Sequence, residues 1–132
     1  MISDSVLLLW SDNLRATATS FDELEALIAE IELSAQKLGV PIAVEFQATN
    51  STALVVALGD TKSHLEFVST EAPPRCSVSK GPWIGDERVV VDYMGVPSSS
   101  DLDTCVPIEQ ALAALRLYCS TGVRPENITW LD

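Results

Sequence analysis

Reactive side chains at usable spacing are scarce in this chain. Its 132 residues hold one histidine, His64, and three widely spaced cysteines, Cys76, Cys105 and Cys119. Metal catalysis needs several histidine, cysteine or carboxylate ligands at fixed intervals. A lone histidine inside a strand-like run and three thiols without a CxxC pair do not supply them, so no metal is expected. A catalytic triad is equally unsupported, because no GxSxG turn presents a serine and nothing marks a nucleophile for His64 to activate. Gly81 to Gly85 places a proline and a tryptophan where a phosphate cradle needs bare backbone amides, and neither GxGxxG nor a Walker loop occurs. The chain is read as non-enzymatic, with no catalytic, cofactor-binding or metal-binding residues.

Carboxylates are plentiful. Asp86 with Glu87, or Asp101 with Asp103, could work as acid and base across a glycosidic bond. With 19 acidic residues in the chain, such neighbours arise by chance, and for catalysis they are read as solvated surface. Against 8 basic residues they leave a formal net charge of −11. The excess is concentrated in residues 1–60, where nine acids face two bases, and in residues 91–132, where six face two. A field of this sign repels nucleic acid and anionic membrane and speeds encounter with a basic partner. Lys62, Arg75, Lys80 and Arg88 are scattered through the neutral segment between and form no nucleic-acid grip.

The elements that must position these groups follow from pattern. Ser20-Phe21-Asp22-Glu23 has the form of a capping box. Leu24, Leu27, Ile28, Ile31, Ala35 and Leu38 then recur at helical spacing, and Gly39 with Pro41 supplies the stop. Glu23 and Glu30 flank that stripe on one side and Glu25 and Glu32 on the other, leaving Leu33 facing solvent. A second helix is expected to open at Pro107, with Ile108, Ala111, Leu112, Leu115 and Cys119 buried, and to end at Gly122. Strands are expected at Val6–Trp10, Ile42–Phe46, Thr52–Leu58, His64–Ser69, Glu87–Met94 and Ile128–Leu131. Residues 72–85 read as a loop with at most one short strand, and Gly95 to Asp103 as a polar surface loop. Hairpin-connected strands with two helices give an α+β fold: a single-domain antiparallel sheet with two main helices packed on one face.

Residues 1–132 fit one domain, because halves of this length would bury too little apolar surface. The apolar content of 47% and mean hydropathy of +0.22 supply ample core. No apolar run approaches the length of a membrane span, and Val6–Trp10 follows Asp4 without a basic leader or a small-residue cleavage site. With unpaired thiols, this points to the cytoplasm and away from membranes.

Val106-Pro107-Ile108-Glu109-Gln110-Ala111, then Gly122-Val123-Arg124-Pro125 and Trp130, form a pattern in order and spacing. It resembles the first-numbered immunity-protein family of bacterial polymorphic toxin systems, whose members end with a V-P-x-x-x-A helix, a G-x-R-P turn and a tryptophan-bearing strand. Val90-Val91-Asp92-Tyr93 is similar to the family's preceding strand, so the likeness covers about residues 88–131. Tyr118 stands where the family pattern suggests an aromatic such as phenylalanine. The resemblance implies an α+β inhibitor of a cognate toxin catalytic domain, often a nucleic-acid deaminase, in the cytoplasm of the producing cell. The acidic charge suits that role independently, since an enzyme acting on nucleic acid presents a positive cleft.

Polar loops reach into clefts and aromatic anchors supply affinity. The expected partner-binding residues are therefore Trp83, Asp86 and Glu87 in one loop, Tyr93 nearby, and Ser99, Asp101 and Asp103 in another. The alternative is an acidic secretion chaperone, which would bind an extended effector segment instead of a folded domain.

Overall fold

The computed structural model describes residues 5–132. Ten strands and two helices follow in the order β1 (Val6–Trp10), β2 (Leu14–Ala18), α1 (Phe21–Leu38), β3 (Ile42–Gln47), β4 (Thr52–Leu58), β5 (Lys62–Ser69), β6 (Arg75–Lys80), β7 (Arg88–Tyr93), β8 (Val96–Asp101), β9 (Cys105–Pro107), α2 (Ile108–Thr121) and β10 (Thr129–Leu131). The main sheet runs β10-β6-β5-β4-β3-β1-β2. Its pairings are antiparallel except that β7 meets β3 in parallel at Ile42 and Ala43. The architecture is the expected α+β arrangement.

Alternation fixes the two faces of the sheet. Val44, Phe46, Leu54, Val56, Leu65 and Phe67 point to one side and form the core with the buried stripes of α1 and α2. Ala43, Val55, Ala57, His64 and Glu66 occupy the intervening positions and so point to the other side. Each large apolar side chain taken from water on the helical side contributes about 1.5–3 kcal/mol, so the helices are bound there and the opposite face is left free of them.

Ser20 caps α1 by accepting the Glu23 amide, and the Thr19 hydroxyl bonds the Glu23 carboxylate. Those hydrogen bonds from Thr19 hold the Glu23 carboxyl below its ordinary range. Gly39 closes the helix in the left-handed region at φ 86°. The buried stripe is Leu24, Ile28, Ile31 and Ala35. Leu38, expected to extend it, is 56% exposed, because the stripe ends where Ala35 packs against Gly59 at the end of β4. Leu33 is exposed, as expected.

Three further readings need correction. Gly95 to Asp103 is not a loop: Val96–Asp101 is β8, hydrogen-bonded along its length to β7, and Leu102–Thr104 is a 3-10 turn. Met94 (φ 54°) and Gly95 (φ 83°) form the tight turn between the strands, as a two-residue hairpin connection demands. Pro107 does not open the second helix. It ends β9, which pairs with Lys62 to His64 of β5, and stands at the N-cap of α2. Leu14–Ala18 is a strand that pairs with all five residues of β1. Residues 72–85 contain one strand, β6.

The residues that carried the family pattern brace one corner of the fold. Gly122 caps α2 with φ 72°. Arg124 lies 5.9 Å from the centre of the Trp130 ring and donates to Ser77 and Asp132, each at 2.9 Å. The Trp130 indole N–H donates to the Pro125 carbonyl at 2.8 Å. Trp130 also packs against Phe67, so its role here is structural.

Candidate partner-binding face

On the helix-free side, the β7–β8 hairpin leaves the β3 edge and folds over part of the sheet. Val91 of β7 is buried, and a groove of about 820 Å³ opens beside it. Its floor is Ala43, Val55 and Ala57 with His64, Glu66, Cys76 and Val78; β8 forms one wall, and Leu131 and Asp132 lie on the other.

The polar groups of the groove are tied to the scaffold. The Thr104 hydroxyl donates to the Asp101 carbonyl at 2.7 Å and stands 2.8 Å from His64 Nδ1. His64 Nε2 lies 3.4 Å from Glu66 Oε1. The hydrogen bond from His64 holds the Glu66 carboxyl below its ordinary range, against an opposing push from burial. Arg88 bonds Asp101 at 2.7 Å and the Ser99 hydroxyl at 3.0 Å. Burial, then the nearby charges of Glu66 and Glu45, raise the Tyr93 phenol. Asp132 is held low, first by the Ser77 hydroxyl and then by Arg124. The three carboxylates Glu66, Asp101 and Asp132 outnumber the cationic and imidazole groups Arg88 and His64, so this lining is negative.

Of the residues expected from sequence, Tyr93, Ser99 and Asp101 line this groove together. Trp83, Asp86 and Glu87 sit on the loop between β6 and β7. Trp83 is half-buried with the Lys62 ammonium 5.1 Å from its ring centre, while Asp86 and Glu87 are exposed. Asp103 is exposed, and its carbonyl accepts the Gly81 amide at 2.8 Å. Sequence reasoning did not single out His64, Glu66, Arg88 or Asp132 as groove residues. The alternation His64-Leu65-Glu66-Phe67 did place the two polar side chains opposite the core, which is the available signal.

Among the described residues no group of three or more histidine, cysteine or acidic side chains could hold a metal ion. His64 sits between the Thr104 hydroxyl, whose proton goes to the Asp101 carbonyl, and the Glu66 carboxylate. A negative groove floored partly by apolar side chains can receive a protein surface.

The family model for Immunity protein Imm1 matches residues 14–132. The chain belongs to the Imm1 immunity-protein family. Its task is therefore to bind a toxin and protect against it, and the groove, hairpin and adjoining loop are to be read as candidate contact surfaces. The match takes in both helices and nine of the ten strands, starting at β2, well beyond the C-terminal signature. No curated protein matches the chain. No helix among the described residues is long and apolar enough to cross a membrane.

Proposed function

We propose that this Imm1 member, acting as one domain in the cytoplasm, neutralises a nucleic-acid-directed toxin, a deaminase, by occupying its active-site cleft with the helix-free face. The observation that carries this reading is the negative groove left open on the side of the sheet that no helix covers. An enzyme that handles a polyanion has a positive cleft, so a carboxylate-bearing surface competes for the same ground as the substrate. Asp22, Glu23, Glu25, Glu30 and Glu32 of α1 add to the long-range field, though Glu25 is engaged by Arg116. Cys76, Cys105 and Cys119 stand as free thiols, which suits a reducing compartment.

The contact residues proposed are Tyr93, Ser99 and Asp101 in the groove and Trp83, Asp86, Glu87 and Asp103 beside it. Family membership favours a folded toxin over the extended client of a secretion chaperone. The test is to purify the toxin domain encoded beside this gene and assay deamination of DNA and RNA with increasing amounts of this chain. Stoichiometric inhibition that competes with substrate is expected. Binding without competition would overturn active-site occupation, and a toxin with different chemistry would overturn the deaminase assignment.

A further inference from the structure

The loop between β6 and β7 carries an unusual pair of features. Ile84 is 95% exposed, the most exposed of the large apolar side chains among the described residues. Leaving an isoleucine in water forgoes about 1.5–3 kcal/mol of burial; a lone exposed apolar side chain is ordinary on a protein surface, and what sets this one apart is the loop that holds it and the carboxylates that follow it. The backbone around it is tied at both ends. The Gly81 amide donates to the Asp103 carbonyl at 2.8 Å, and the Leu102 amide donates to the Glu87 carbonyl at 3.1 Å. Gly81 lies so close to the β9 backbone that a Cβ there would fall 1.4 Å from the Cys105 carbonyl oxygen. Trp83 is turned back under Lys62, so the two neighbouring apolar residues face different ways. Asp86 and Glu87, both exposed and in no ion pair among the described residues, follow directly. The loop runs into Arg88, which with Asp101 and Thr104 lines the groove.

We infer that Ile84 is a preformed anchor that inserts into an apolar pocket of the toxin, a pocket bordered by lysine or arginine side chains that meet Asp86 and Glu87. Charge complementarity identifies the occupant: carboxylates beside an apolar tip select a folded partner whose pocket has a basic rim. Tying the loop in advance lowers the ordering cost of binding, and contact energy concentrates in a few side chains that become fully desolvated inside a rim of contacts that excludes water. This inference rests on the toxin-binding reading above and deepens it by naming the anchor.

The experiment measures affinity for the catalytically disabled toxin domain encoded beside this gene. Ile84→Asp should weaken binding at least thirtyfold and Ile84→Ala about tenfold, while Leu33→Asp, at an exposed leucine on α1, should leave it within twofold. Because Ile84 is almost wholly exposed, neither change should disturb folding. Wild-type binding that survives Ile84→Asp within twofold overturns the anchor and leaves the toxin-binding reading standing. Failure of the folded wild type to bind overturns both. Independently of any partner, the Gly81 and Leu102 amides of the free protein should be protected in hydrogen exchange; exchange at unprotected rates would overturn the preformed tip.

Discussion

The Tyr118 phenolic oxygen accepts the Ala48 amide at 3.0 Å, tying the middle of the second helix's last turns to the end of β3. Thr52 Oγ1 lies 3.0 Å from the same oxygen and donates to the Gly122 carbonyl at 3.0 Å. With the threonine proton committed to Gly122, the tyrosine hydroxyl donates to Thr52, and one chain of hydrogen bonds runs from Ala48 through Tyr118 and Thr52 to the helix cap. Burial raises the Tyr118 phenol, so it stays neutral and can hold that chain. A phenylalanine at this position would fill the same space but leave the Ala48 amide without its partner. Tyr118→Phe should cost about 1–2 kcal/mol, read as a shift in urea midpoint at unchanged slope. No shift would mean that water replaces the hydroxyl.

The three thiols stand in different surroundings, and their reactivity should separate accordingly. Cys76 is exposed, whereas Cys105 and Cys119 are buried. Burial pushes the Cys119 thiol up to about 12, and it raises Cys105 as well. Since the thiolate is the reactive form, native protein at pH 8 should give one slow equivalent with a disulfide reagent, lost in Cys76→Ser, and urea should release the remaining two. A second equivalent in the native state would contradict the burial of Cys105 in β9 and Cys119 in α2.

The fold was legible where local pattern and tertiary environment agree. Val6–Trp10 and Thr52–Leu58 are apolar enough to be buried strands by themselves, and Ser20 with Glu23 announces a cap. β8 was illegible because Pro97 and three serines carry little strand preference. It is a strand because β7 lends it a complete ladder across a two-residue turn. β9 is only three residues long and exists because one end of β5 has an edge to fill. Of the candidate face, Tyr93, Ser99 and Asp101 were singled out by residue type, but the groove they share requires the hairpin to fold over the sheet, and no local pattern encodes that. His64 and Glu66 look like the polar positions of any half-buried strand until the hairpin is placed beside them.

Gly81 should tolerate no side chain. Its missing Cβ makes room for the Cys105 carbonyl and the Val106 amide, both backbone groups that cannot rotate aside. Gly81→Ala must push β9 from the start of β7's loop, and a loss of about 2–4 kcal/mol is expected from strain of this kind. Thermal unfolding measures it, and a melting temperature within a degree of wild type would show that the loop relaxes freely.

Glu66 gives the groove a defined acid dependence. Its carboxyl is lower in the folded chain than the ordinary value of 4.5 because of the His64 hydrogen bond. The unfolded state therefore takes up the proton first as pH falls, and the contribution of Glu66 to stability is present above 4.5 and lost as pH drops through the folded value. Partial exposure limits it to under about 1 kcal/mol. Stability curves of wild type and Glu66→Gln should run apart above pH 5 and converge toward pH 3. Curves that diverge on acidification would assign Glu66 the opposite sign.

Asp101 and Asp103 test whether charge at the rim guides the partner. Asp101 is half engaged by Arg88, and Asp103 is exposed on the turn that follows β8. Rim charges act mainly on encounter, and their pull is screened over about 10 Å at 0.1 M salt. Replacing both with lysine adds four units of positive charge to one end of the groove. Association with the adjacent-gene toxin domain should slow by about tenfold at 20 mM salt, with the difference shrinking toward 0.5 M and the dissociation rate changing less. Stopped-flow traces at the two ionic strengths provide the measurement. If the double variant associates as fast as wild type at low salt, the toxin approaches from another side, and the acidic outer surface of α1 becomes the face to examine by the same substitution of Glu30 and Glu32.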